Sequence, residues 1–259
     1  MPRFAGRRLH LLAAAALIFS VTACASSKKT QTEGLEKELE TTLVATAAQA
    51  EATYNYPEAA ESYAKLYAKH PDDLSIALKL ARNLRFAGRA QQDIALVTDL
   101  MAKSGRTLPL LLELGKAQLS ADQSNLAVPT LLEAKTLEPL NWDVLSTLGV
   151  AYDFQGNYDK SREAYTQALV ASPQNPAILN NLALSQAANG DLDGAISTLQ
   201  QAVDLPAASA QVRQNMALLL AFKGDAEGAE RMARKDLPSA MVDNNSAYYK
   251  MLSGAAKTY

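Results

Sequence analysis

Few side chains in this sequence are of types and spacings that do chemistry, and the thiol of Cys24 comes first among them. It is the only cysteine in 259 residues. That excludes an intramolecular disulfide and any zinc site built on several cysteines. A lone thiol still has two uses, as a nucleophile or as the acceptor of an acyl group. The two histidines, His10 and His70, are too few for a histidine-based metal centre. His70 precedes Pro71 at the expected end of a helix, where the plain reading is a solvated or capping imidazole. No glycine-rich phosphate loop, paired-histidine helix motif or Gly-x-Ser-x-Gly elbow is present. Carboxylates are numerous but scattered, as on solvated faces. The expectation is therefore a protein that is not an enzyme, with no catalytic residue, metal site or cofactor, and with its chemistry confined to Cys24.

The segment before Cys24 gives that thiol its context. Arg3, Arg7 and Arg8 fall within the first eight residues without an acid, and an apolar run from Leu11 to Val21 follows, interrupted only by Ser20. The run is shorter than the roughly 20 apolar residues of a membrane-spanning helix and has the length of a signal-peptide core. It ends in Val21-Thr22-Ala23-Cys24, with small residues before the thiol. This ending resembles the lipobox of bacterial lipoproteins, in which the cysteine is lipidated and becomes the mature N-terminus. The other readings are an ordinary cleaved signal and an uncleaved anchor. The resemblance implies a signal peptide over residues 1–23 and acyl chains such as palmitate on Cys24. Ala25, rather than Asp, follows the cysteine, which implies an anchor on the periplasmic face of the outer membrane in a Gram-negative cell envelope. Losing residues 1–23 removes three arginines and no acid, moving the formal charge from −2 to −5. Residues 24–39 are small and polar and read as the lipidated N-terminus and a flexible tether, with a helical start from Leu35 left open.

The elements that would position anything further come from a repeat. The hydrophobic fraction is 48% with only 6% aromatics, so Ala and Leu supply most of it, as in closely packed helices. Gly88, Asp122, Gly156, Gly190 and Gly224 stand 34 residues apart, as do Gly115 and Gly149, Ala134, Ala168 and Ala202, and Pro139 and Pro173. One register fits them all: 40–73, 74–107, 108–141, 142–175, 176–209 and 210–243, followed by 244–259 as a C-terminal capping helix. A coiled coil would repeat every seven residues, without Gly and Pro at this long interval.

The fourth unit is the clearest, with Leu145, Leu148, Gly149, Tyr152, Gly156, Tyr158, Tyr165, Ala168 and Pro173. It resembles the tetratricopeptide repeat (TPR), with Leu145 for the usual Trp and Ser161 for the usual Ala. The resemblance implies an all-α TPR solenoid, a right-handed superhelix of about six helix-turn-helix repeats whose groove is lined by the first helix of each pair. The eighth position of each unit is small (Ala47, Ala81, Gly115, Gly149, Ala183, Ala217), as close helix packing requires. Gly156, Gly190 and Gly224 fit left-handed caps. The second unit departs from the pattern at Asp93 and Gly105. The sixth carries Arg213 and Asp236 at normally apolar positions, which suits a polar outer face on a terminal unit.

In the TPR pattern the groove contacts of the last three units fall at Asp143, Ser146, Val150, Asp153 and Phe154, at Asn180 and Leu184, and at Gln211, Gln214, Leu218 and Phe222. Asn181 and Asn215 occupy a position where Asn bonds a ligand backbone or merely satisfies local groups. Such a surface suits an extended peptide or a helix from a protein partner. It carries no Lys/Arg cluster for a terminal carboxylate. Arg82, Arg85 and Arg89 with Phe86 form a small basic cluster elsewhere, either a meeting point for an acidic partner or ordinary surface. The formal charge of −2 leaves no footprint for nucleic acid, and no small-molecule substrate is expected.

From Ser172 onward the wording is more specific. It includes Asn180-Asn181-Leu182-Ala183-Leu184-Ser185, Asn189-Gly190-Asp191-Leu192-Asp193-Gly194-Ala195-Ile196, Val212-Arg213-Gln214-Asn215, Asp236-Leu237-Pro238 and Ala247-Tyr248-Tyr249. With the lipobox, this resembles the TPR lipoprotein of tight-adherence (Tad/Flp) pilus systems, the TadD family, most strongly over 142–252. The resemblance implies a lipid-anchored scaffold in pilus assembly, with a pilotin-like role towards the outer-membrane secretin or another Tad component. The alternative is a general envelope adaptor that recruits peptidoglycan enzymes or outer-membrane assembly factors.

Overall fold

The computed structural model describes residues 34–255. Residues 1–33, which include the segment expected to be a signal peptide, Cys24 and most of the expected tether, and residues 256–259 of the expected capping helix lie outside the described residues. Within them there are thirteen helices and no strand. Helices α1 (34–52), α2 (Tyr56–Lys69) and α3 (Leu74–Phe86) form one compact unit. The other unit starts at Gly88 and holds α4 (Ala90–Ser104), α5 (Leu108–Ser120), α6 (Ser124–Leu137), α7 (Trp142–Phe154), α8 (Tyr158–Ala171), α9 (Pro176–Ala188), α10 (Leu192–Val203), α11 (Ala210–Phe222), α12 (Ala226–Ala233) and α13 (Ser239–Ala255). The division falls inside the second 34-residue unit, between its two helices. No helix among the described residues is long and apolar enough to cross a membrane.

Local sequence explains where the helices begin and turn. Asp73, Asn141, Asn175 and Ser209 accept hydrogen bonds from the first backbone N–H groups of α3, α7, α9 and α11. Asp191 and Asp225 do the same for α10 and α12. Each such cap satisfies a donor that the helix leaves unpaired. Between paired helices the chain passes through left-handed backbone once per repeat, at Tyr54 (φ +58°), Gly88 (+73°), Asp122 (+58°), Gly156 (+67°), Gly190 (+90°) and Gly224 (+95°). Glycine enters this region without steric cost, and aspartate is the tolerated substitute. In the second unit, Gly105 (φ +84°) ends α4 where its neighbours use proline.

In the larger unit each odd helix from α5 to α11 pairs with the even helix after it. The odd helices also touch one another in sequence, α5 with α7, α7 with α9 and α9 with α11, and so form a continuous layer. Close pairing depends on the small eighth position. A Cβ on Gly149 would stand 2.6 Å from Tyr165 Cε1, and one on Gly115 would stand 2.6 Å from Leu131 Cδ2. Leu145, Tyr165, Ala168 and Ile178 are buried together behind that contact.

Residues 34–39 are helical and exposed and continue into α1, in keeping with the helical start left open from Leu35. Two expectations change. Helix α12 stops at Ala233, and the final helix starts at Ser239 rather than at residue 244. The break has a local cause, because Pro238 cannot supply the N–H that a continuing helix needs. Arg213 and Asp236 do not form a solvated outer face. Arg213 Nε and Nη2 donate to Asp236 Oδ2 and Oδ1 at 2.7 and 2.6 Å, and Nη1 donates to the Ala208 carbonyl at 2.9 Å.

Candidate functional site

The candidate site is the outer face of the odd-helix layer, and its predicted residues fall into two groups. Ser146, Asn180, Asn181 and Asn215 join into a ladder across α7, α9 and α11. Asn181 Nδ2 donates to Ser146 Oγ at 3.2 Å, Asn180 Nδ2 to Asn181 Oδ1 at 3.3 Å, and Asn215 Nδ2 to Asn180 Oδ1 at 2.8 Å. Ser146 and Asn180 are buried. The residues expected to hold a ligand backbone therefore hold one another, because each buried amide must find a partner within the fold.

The two acids of this set are likewise engaged. Asp153 accepts from Tyr165 Oη at 2.7 Å and from Ser185 Oγ at 2.6 Å, and Ser185 shares a further bond of 2.9 Å with Ser161. Burial pushes the Tyr165 hydroxyl far above its ordinary pKa, and the neighbouring Asp153 charge adds to the effect. Tyr165 is thus a neutral donor that fixes a carboxylate. Asp143 pairs with Lys116 Nζ at 2.7 Å, tying α7 to α5.

The second group stays open. Phe154 is 56% exposed, Phe222 44% and Leu184 36%. Val150 and Leu218 are half-buried, four residues before Phe154 and Phe222 and so on the same helical face. Gln211 and Gln214 are exposed on α11. The face thus sets an apolar row beside the Ser146–Asn181–Asn180–Asn215 ladder; of its two acids, Asp143 is paired with Lys116 and Asp153 is bonded by two neutral hydroxyls. Among the described residues no cluster of three or more His, Cys, Asp or Glu forms a metal site.

Sequence reasoning missed that Tyr54 and Tyr56 gather beside Phe86 in the smaller unit. A signal was available, since Phe86, Phe154 and Phe222 share the thirteenth position of their repeats.

Comparison with known proteins supports this architecture. The tetratricopeptide repeat family model matches residues 112–176 and 146–211. A thermophilic TPR protein of Thermus thermophilus, TTC0263, superposes with a TM-score of 0.63 at 21% identity, covering 70% of this chain and 98% of its own. Pseudomonas aeruginosa pilF superposes with a TM-score of 0.52 at 16% identity, covering 82% of this chain and 98% of its own. No curated protein matches the sequence. The fold is an all-α TPR solenoid.

Proposed function

We propose that this TPR scaffold is a lipoprotein held at the periplasmic face of the outer membrane through Cys24, where it binds a protein partner in Tad/Flp pilus assembly, with a pilotin-like role towards the secretin. The observation that carries the binding role is the open row of Val150, Phe154, Leu184, Leu218 and Phe222 beside a ladder of mutually bonded amides. A row of apolar anchors on one helix layer fits an apolar segment of another chain. The lipobox-like Val21-Thr22-Ala23-Cys24 and the TadD-like wording over 142–252 support the anchoring and pilus parts. Anchoring confines both partners to one membrane surface, so a modest intrinsic affinity suffices.

The test combines fractionation with site-specific crosslinking. Cys24→Ser is expected to move the protein from membranes to the soluble periplasmic fraction and to reduce piliation. A photo-reactive residue at position 154 or 222 is expected to crosslink to a secretin or another pilus-assembly protein. Normal pili with a fully soluble variant would remove the anchor from the mechanism. Crosslinks to peptidoglycan enzymes alone would replace the pilus role by an envelope-adaptor role.

A further inference from the structure

We propose that the α1–α3 unit carries a docking surface for an acidic peptide segment that also contains an aromatic side chain, at the positions of the second repeat that correspond to Val150 and Phe154 of the fourth. On α3, Lys79, Arg82 and Phe86 are three and four residues apart and therefore share one face, and all three are exposed. Arg82 and Arg85 place their guanidinium carbons 5.5 and 4.5 Å from the Phe86 ring centroid, and Lys79 Nζ lies 5.8 Å over the Tyr63 ring. The aromatic platform continues through Tyr56, whose ring is 4.8 Å from Phe86, to Tyr54, set edge-on at 6.2 Å from Tyr56.

Folding alone gives no reason for this arrangement. Tyr54 is 72% exposed and sits in left-handed backbone, at a register position that four of the other five repeats fill with glycine. A bulky side chain in that conformation is strained without adding to the core. The acid beside the cationic row, Glu51, is bonded by Asn83 Nδ2 at 2.7 Å and by Tyr63 Oη at 3.3 Å. It lessens the local positive charge without cancelling it, because Lys79 and Arg82 both stand on the same face.

The chemistry of the occupant follows from these groups. The exposed Arg82 guanidinium, lying over the Phe86 ring, is pre-oriented, and its in-plane N–H edge suits a carboxylate. The neighbouring rings exclude water from that contact and offer a stacking surface to a second aromatic group. A peptide is favoured over an anionic lipid surface because Tyr56 and Phe86 pack on each other and the cations lie over ring faces, whereas membrane contact calls for side chains extended into the headgroups.

The test uses the full-length chain and fluorescence anisotropy with labelled dodecapeptides. One is rich in Asp and Phe, a second replaces Asp by Asn, and a third keeps Asp but replaces Phe by Ala. The Asp/Phe peptide is expected to bind most tightly and to weaken with added salt. Lys79→Glu with Arg82→Glu is expected to reduce its affinity by about tenfold or more, and Phe86→Ala by several-fold. Circular dichroism should be unchanged, since all three side chains are exposed. Phe154→Ser is expected to leave this binding intact, which separates the surface from the odd-helix row. Equal binding of the Asn peptide, or indifference to the charge reversal, would overturn the proposal. Sedimentation with phosphatidylglycerol vesicles that is lost on the charge reversal, without peptide binding, would overturn it in favour of a lipid contact.

Discussion

Arg213 clamps Asp236 with two hydrogen bonds, 2.7 and 2.6 Å long, and so ties the first turn of α11 to the break between α12 and α13. Both side chains are mostly shielded from solvent, at 24% and 13% exposure. The clamp explains how the last repeat ends without a regular second helix. Hydrogen bonding from Arg213 holds the Asp236 carboxyl below its ordinary range, against the opposing effect of burial, and Arg213 is raised in turn.

Asp236→Asn is accordingly expected to lower stability at neutral pH by about 1–2 kcal/mol, the range of a charge-assisted pair with partial solvent screening. The folded carboxyl titrates lower than the unfolded one, so its contribution is fully present above the unfolded value of about 3.9. It is lost as pH falls through the folded value. Denaturation of wild type and variant at neutral and strongly acidic pH checks this: the difference should shrink in acid, and an undiminished difference would contradict the assignment.

Gly149→Ala is expected to cost about 1–3 kcal/mol in chemical denaturation, because the new methyl would meet the Tyr165 ring at 2.6 Å and that ring is held by Asp153. The next repeat places Ala183 and Leu199 at the corresponding positions, both buried in one core cluster. Adding Tyr165→Leu to Gly149→Ala should therefore cost less than the sum of the single changes. Simple additivity would show that the two sites do not share this contact.

The two groups on the odd-helix face predict opposite phenotypes. Asn180→Ala removes the acceptor of Asn215 and the donor to Asn181, and is expected to destabilise the fold by about 1–3 kcal/mol. Phe154→Ser and Phe222→Ser touch exposed rings and should leave the melting temperature within a few degrees of wild type while weakening partner crosslinking. A folded Asn180→Ala protein that loses crosslinking with unchanged stability would return the ladder to the binding surface.

Much of this architecture was legible in the sequence because the devices that build a helix pair are local. The positive-φ turns at Gly88, Asp122, Gly156, Gly190 and Gly224 and the small residues at the eighth position act within one repeat or between adjacent helices, so a 34-residue spacing exposes them. The division between α3 and α4 left no such trace. The early stop of α12 has its local cause in Pro238, a residue outside the 34-residue spacing and so not exposed by the period. For the site, the exposed Phe154 and Phe222 follow from register position alone. That Ser146, Asn180 and Asp153 are consumed internally does not follow, since the same polar residue serves a ligand or a neighbouring helix equally well.

The sequence by itself determined a helical repeat, its period and its small-residue contacts, because these depend on residue type and spacing. Only the tertiary structure decided which polar side chains remain for a partner. Residues 35 apart, such as Asn180 and Asn215, become bonded neighbours when successive helices stack. Whether an amide is already satisfied is a property of that distance and not of the amide.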